Sequence, residues 1–462
     1  LDEIGFMLAY TPLHTLLLER LELIVATSSN AKDAPIMKDE TEGIRGLCDA
    51  ILTHDRPIAM RADDSVVKVA AGRPLFVRRA RGYVPYPQPV PVALRSEATV
   101  VALGGELKST ISLYKDGYVV TSQFLGDLDD YRNFGYFEET LAHLLRLFDA
   151  KPAAVVTDLH PDFRTTRFAA KMGLPHFKVQ HHFAHVLAPL LEHGHAPRRP
   201  VLGVALDGYG YGQDGTAWGG EFLLADYGGY ERYASFKPVA LPGGDLAARE
   251  PWRPALAHLD AAFGAAVPDL PVMRRVGRRR AAAVLAMARS GVRSPRASSC
   301  GRLFDAVSFL AGTAPARMEF EAEAAMRLEA AAAGRTGRAY PVRISDRGAG
   351  RPLEISFEGL IRAVVRDVGA GRPVPEVSAS FHESLARLVL RVAERARRER
   401  GTKAVSLAGG VFLNRRLLER AEELLGRAGF RVFRPLAYSP NDESLSLGQI
   451  AWALARLKSG GS

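Results

Sequence analysis

Only two cysteines, Cys48 and Cys300, occur in 462 residues, and they form no CxxC pair. A disulfide framework and a thiolate zinc site are thereby excluded, and both thiols read as ordinary core or loop residues. Also missing is any apolar run approaching the roughly 20 residues that a membrane helix needs. The first residues lack the basic, apolar, small-residue order of a secretory signal. These gaps predict a cytoplasmic protein with no membrane partner. The glycine-rich stretch Asp207 to Gly212 lacks the lysine of a P-loop and does not itself match GxGxxG, so those two phosphate-binding folds are not indicated. The chain opens on Leu1 instead of Met and runs at once into apolar sequence, which reads as a fragment.

What is present allows two or three globular domains, since 47% of residues are hydrophobic and 24% charged. The net charge of +10 would attract RNA, a nucleotide or an acidic protein. Two arginine clusters contribute to it. Arg391, Arg395, Arg397, Arg398 and Arg400 alternate with Glu394 and Glu399 at helical spacing, the pattern of a solvated face. Arg274, Arg275, Arg278, Arg279 and Arg280 have no interleaved aromatics on which bases could stack, which argues against nucleic acid as the partner.

Residues 1 to about 92 mix short β-branched runs (Leu23 to Ala26, Pro57 to Arg61) with helical stretches such as Glu42 to Leu52, an α+β pattern. Pro85, Pro87, Pro89 and Pro91 block helix formation and suggest a domain boundary. Beyond it, strand patterns at Val100 to Leu103, Thr110 to Tyr114 and Gly117 to Thr121 give way to a helix around Tyr136 to Phe148. The strand Ala153 to Thr157, the helix Arg164 to Met172 and the strand Phe177 to Gln180 then predict a layered α/β domain. Gly203 to Asp207 restarts the pattern, so lobes of about 97–205 and 206–462 are expected.

On a helix, His181 and His185 would lie one turn apart on one face, a spacing shared by metal ligands and by ordinary core histidines. Without thiolates, any metal there needs oxygen ligands, and Asp207 and Asp442 are the carboxylates to recruit. Asp207 ends an apolar strand and enters Asp207-Gly208-Tyr209-Gly210-Tyr211-Gly212, either a tight turn or a place for phosphate to approach backbone. Ser406 to Asn414, with Gly409 and Gly410, and Gly104 to Ser109, with Lys108, repeat the strand-end glycine turn. Three such turns suggest a two-lobed nucleotide clamp.

Val179-Gln180-His181-His182-Phe183-Ala184-His185, Asp158-Leu159-His160-Pro161-Asp162, Leu241-Pro242-Gly243-Gly244-Asp245, Gly301 to Ala306 and Pro440-Asn441-Asp442 resemble the C-terminal domain of the HypF family. Residues 1–92 look like the second half of its YrdC-like domain, through Tyr10 to His14, Thr27 to Asn30, Asp63 to Val66 and Arg78 to Tyr83. The resemblance implies a partial YrdC-like α+β domain at 1–92, followed at 97–462 by a carbamoyl-transfer domain of the two-lobed actin and Hsp70 type. It implies a carbamoyltransferase of nickel-iron hydrogenase maturation, using ATP or carbamoyl-adenylate and passing the carbamoyl group to the C-terminal cysteine of HypE. One divalent metal, iron or zinc, would be held by His181, His185 and Asp442, with Asp207 on the metal or phosphate side. Nucleotide contacts would fall to Lys108, Gly208, Gly210, Asp305, Gly409, Gly410 and Asn414, and Ser28 and Asn30 would meet carbamoyl-adenylate in the first domain.

Departures are specific. The family pattern Asn-Asp-Gly-Gly is Asn441-Asp442-Glu443-Ser444 here, which predicts extra negative charge at the ligand and a constrained turn. Phe183 replaces a family histidine outside the ligand set. The family's acylphosphatase-like and zinc-finger regions and the first half of its YrdC-like domain have no counterpart, so hydrolysis of carbamoyl phosphate is not expected, and half of the adenylate-forming pocket would be missing. A small-molecule O-carbamoyltransferase, a tRNA-modifying protein and a non-catalytic remnant are the competing readings.

Overall fold

The computed structural model describes residues 3–30, 34–38, 46–196, 198–268 and 270–459. Near the N-terminus a short helix, α1 (Pro12–Leu18), buries no side chain. The runs expected as strands at 23–26 and 57–61 are irregular, and Ile4, Phe6, Leu8, Leu23 and Val25 are largely exposed. Apolar runs without a pairing partner do not hold strand geometry. Of the helix expected at 42–52, residues 42–45 lie outside the described residues and 46–52 are turn and coil. Order begins with the antiparallel hairpin of β1 (Val66–Ala70) and β2 (Arg73–Arg78). Its Ala70 and Leu75 join the largest apolar cluster of the later domain.

A six-stranded sheet follows, built from β3 (Gln88–Pro89), β4 (Val100–Ala102), β5 (Ser112–Lys115), β6 (Tyr118–Thr121), β7 (Ala154–Asp158) and β8 (His176–Val179) in the order β3-β6-β5-β4-β7-β8. Side chains alternate across it. Val100 and Ala102 enter one core, whereas Val101 enters another with Val155, Phe137 and Leu141. Helices α2 (Tyr131–Leu147), α3 (Arg164–Ala169) and α4 (His181–Glu192) complete this lobe.

The second lobe carries a nine-stranded sheet of β9 (Val201–Tyr211), β10 (Ala217–Asp226), β11 (Gly229–Phe236), β12 (Val239–Ala240), β13 (Arg296–Ala297), β14 (Arg343–Ser345), β15 (Leu353–Ser356), β16 (Ala404–Ala408) and β17 (Arg431–Phe433). Its helices are α5 (Trp252–Phe263), α6 (Arg278–Ser290), α7 (Cys300–Leu310), α8 (Glu323–Ala331), α9 (Glu358–Gly369), α10 (Val374–Arg400), α11 (Arg415–Arg427) and α12 (Leu445–Ser459). The arginine clusters serve packing here: Arg280 lies over Trp252, Arg397 over Phe430, and Arg391 donates to the Val342 carbonyl.

Helix α12 packs back onto the first lobe. Leu445, Leu447 and Ile450 share one core with Val100 and Val156 of the first sheet, Val201 and Ala205 of the second, and Phe183 and Leu187 of α4. Helices α4 and α12 therefore form a layer that both sheets cover. Their approach depends on Gly448, where a methyl group would lie 1.9 Å from the Ala184 carbonyl oxygen. Among the described residues no helix is long and apolar enough to cross a membrane.

Candidate metal centre

Strand β8 ends at Val179, and Gln180 starts α4 by accepting the Phe183 N–H on its side-chain oxygen. This cap puts His181 and His185 on consecutive turns, buried at 3% and 0% exposure. Asp207 arrives from β9, and Asp442 opens the short turn that leads into α12.

The four side chains converge. His185 Nε2 lies 3.1 Å from Asp207 Oδ2 and 3.3 Å from Asp442 Oδ1, and His181 Nε2 lies 3.7 and 3.8 Å from the same two oxygens. One ligand atom from each residue falls within 4.8 Å of all the others. His181 Nε2, His185 Nε2 and Asp207 Oδ2 are buried without hydrogen-bond partners. Buried polar atoms are ordinarily satisfied, so nitrogen and carboxylate lone pairs aimed at a common point fit a divalent cation.

The carboxylates make this point attractive to positive charge, for which a proton and a metal ion compete. Burial alone would discharge the His181 ring, but Asp158, Asp207 and Asp442 outweigh it and hold its pKa well above the ordinary value. Burial likewise opposes charge on His185, and Asp207 and Asp442 raise its pKa. Asp207 is held well below the usual carboxylate range, because the two histidines overcome its burial. His182 faces the opposite balance: burial and then the His181 charge push it well below its ordinary value, so it stays neutral.

Asp158, at the end of β7, belongs to the motif Asp158 to Asp162 but is given no role by the sequence. Its Oδ2 sits 2.8 Å from His181 Nδ1, and its Oδ1 accepts the His160 N–H. A carboxylate on the far ring nitrogen fixes the tautomer of a metal-binding histidine. Its position at a strand end was the available signal.

The glycine-rich segments serve the centre in different ways, although the turn expected after Asp207 is instead strand, because β9 stays paired with β10 through Tyr211. A methyl at Gly210 would lie 2.4 Å from the His181 ring, so this glycine admits the histidine. Asp207 Oδ1 accepts the Gly208 N–H at 2.7 Å, leaving Oδ2 to the ligand set. Gly409 adopts a positive φ of 95° and donates to the Pro440 carbonyl, joining the turn after β16 to the segment that carries Asp442. A methyl at Gly410 would lie 3.3 Å from Asp207 Oδ1.

Other expected nucleotide residues are engaged within the protein. Lys108 Nζ pairs with Glu321 Oε2 at 2.6 Å. Burial disfavours its charge, but Glu321 and Asp442 raise its pKa. Asp305 is 1% exposed and takes the Arg302 Nε at 2.6 Å, so a ribose hydroxyl would have to displace arginine. Asn414 caps α11 through Leu417 N and contacts His382 Nε2, which uses both ends of its amide. Ser28 is exposed and Asn30 donates to the Ala34 carbonyl, both in the N-terminal segment.

Glu443 and Ser444 correct the expected strain. Neither has a positive φ, and the Glu443 carboxylate turns from the ligand set to accept the Arg79 N–H at 2.8 Å.

Comparison with known proteins covers nearly the whole chain. Residues 203–449 match the family described as "Carbamoyltransferase, Kae1-like Domain, second subdomain", 95–192 match "HypF Kae1-like domain", and 1–80 match the Sua5, YciO and YrdC family described as "Telomere recombination". Carbamoyltransferase HypF of Rhodobacter capsulatus is 41% identical over 99% of this chain and 60% of its own length. That of Synechocystis is 37% identical over 97% and 59%. The chain thus spans about three fifths of these curated relatives. A crystal structure of full-length HypF in a phosphate- and nucleotide-bound form superposes with a TM-score of 0.90 at 34% identity, covering 98% of this chain and 70% of that one. With its partial YrdC-type segment and Kae1-like domain built around a buried histidine and aspartate set, this chain belongs to the HypF carbamoyltransferase family.

Proposed function

We propose that the chain transfers a carbamoyl group from carbamoyl-adenylate to the C-terminal cysteine thiolate of a HypE-like acceptor, a step toward the cyanide ligands of nickel-iron hydrogenases. The observation that carries this reading is the convergence of His181, His185, Asp207 and Asp442 on one point. These residues would hold iron or zinc, and a His and carboxylate set suits both. Bound there, the cation supplies charge that neutralises the leaving phosphate and polarises the carbamoyl carbonyl.

The chain's own residues do the rest. Asp158 keeps the proton on His181 Nδ1, so Nε2 presents a lone pair to the centre. Lys108 offers a positive charge to the phosphate, and the backbone at Gly208, Gly409 and Gly410 admits it without side-chain bulk. The acceptor sulfur attacks the carbamoyl carbon, the carbon–oxygen bond to AMP breaks, and AMP leaves with the electron pair. Nucleotide binding is supported by the nucleotide in the similar full-length HypF crystal. Asp305 belongs to this reading only if Arg302 yields, and the Asn414 side chain is left out of it. A cytoplasmic setting suits the chemistry, since thiols stay reduced there.

The test supplies carbamoyl-adenylate and a HypE-like acceptor to the purified chain and weighs the acceptor. A carbamoyl adduct that His185→Ala abolishes supports the proposal. An acceptor left unmodified by a chain that binds zinc and nucleotide refutes it.

A further inference from the structure

Asp442 is bracketed by two tethers to the end of β2, one to Val77 within the strand and one to Arg79 just after it. On one side, Asn441 Nδ2 donates to the Val77 carbonyl at 3.3 Å. On the other, Glu443 Oε2 accepts the Arg79 N–H at 2.8 Å. Residues two apart in an extended strand direct their backbone groups to the same edge, and β1 occupies the opposite edge of β2. The side chains of Asn441 and Glu443 thus complete the free edge of the hairpin.

Both tethers are buried, with Asn441 at 3% and Glu443 at 2% exposure. The turn itself is rigid. Asn441 Oδ1 accepts the Glu443 N–H at 3.0 Å, the Thr110 hydroxyl donates to the Glu443 carbonyl at 2.7 Å, and Gly409 N–H holds the Pro440 carbonyl. The hairpin falls within residues 1–80, which match one family, whereas Asp442 falls within 203–449, which match another.

We propose that the β1–β2 hairpin is a positioning element of the metal centre, and that Glu443 is the residue through which it fixes Asp442. The inference rests on the metal reading of His181, His185, Asp207 and Asp442. Its consequence is reciprocal, because a tether that stabilises the ligand geometry must in turn be stabilised when the centre is filled. Metal at the centre then tightens the hairpin, and whatever displaces the hairpin weakens metal binding. Glutamine at 443 retains a carbonyl to accept the Arg79 N–H, whereas alanine leaves that N–H without a partner.

The experiment uses the full chain and Zn2+ as probe, with competition against a chromophoric chelator and amide hydrogen exchange across residues 66–81. Glu443→Ala is expected to bind Zn2+ about 10–100-fold more weakly, the usual effect of losing a group that orients a ligand, and Glu443→Gln to stay within about threefold of the parent. In the parent, Zn2+ should slow exchange of the Arg79 amide. Equal affinity in a folded Glu443→Ala variant overturns the inference while leaving the metal reading intact. Should that variant not fold, exchange in the parent decides, and an Arg79 amide indifferent to Zn2+ overturns it. No saturable Zn2+ binding by the parent overturns the metal reading and the tether together.

Discussion

The Nδ1 atom of His181 lies 2.8 Å from Oδ2 of Asp158, and that contact decides which ring nitrogen faces Asp207 and Asp442. Asp158→Ala removes it and frees the ring to change tautomer. Metal affinity is expected to fall about 10–100-fold, measured by chelator competition, with helix content by circular dichroism unchanged.

Lys108 and Glu321 form an ion pair that a phosphate has to open, and the Glu321 side chain is 68% exposed. Glu321→Gln removes the competing anion, so nucleotide should bind a few-fold more tightly at low salt, in keeping with roughly 0.2–1 kcal/mol for an exposed pair. The gain should shrink at high ionic strength. Lys108→Met should weaken nucleotide binding. Calorimetric titration of both variants checks the pair of effects.

Burial pushes Glu192 up to about 7, despite the N–H groups of Leu436 and Ala437 that it accepts. The folded pKa lies above the unfolded one, so this carboxyl contributes stability fully present below about pH 4.5 and lost as pH rises through about 7. Glu192→Gln has no charge to bury. Its urea-unfolding free energy relative to the parent is expected to grow by on the order of 1–3 kcal/mol between pH 5 and pH 8.

Gly448→Ala places a methyl against the Ala184 carbonyl and forces α12 away from α4. A loss of about 1–3 kcal/mol is expected from overpacking, read from thermal or urea unfolding. Zn2+ affinity should fall as well, because both helices carry or adjoin ligands. A variant as stable as the parent would show that the helices separate freely.

Of the four converging residues, His181 and His185 are marked in the sequence by helical spacing after a strand, whereas the set as a whole came from the family resemblance, and Asp207, expected to end a strand before a glycine turn, lies within β9. Asp158 closes a strand, but its role depends on facing a ring nitrogen, and that direction is set by packing. The direction of Glu443 was misread for a related reason. Charge beside a ligand in sequence counts as charge at the ligand only when the side chain points there, and the Arg79 N–H turns it away. Strand and helix periods located the two lobes. They could not show α12 returning to the first lobe, because amphipathic spacing identifies a buried face without naming what covers it.

That return sets an order of assembly. His181 and His185 emerge from the ribosome more than 260 residues before Gly448, the residue that lets α12 seat against their helix. At roughly 5–20 residues per second, the histidine helix waits tens of seconds with its apolar side uncovered. Asp442 arrives in the same last stretch. The fourth member of the set is therefore made last, and a nascent chain stalled before residue 442 would present His181, His185 and Asp207 with Asp442 still missing.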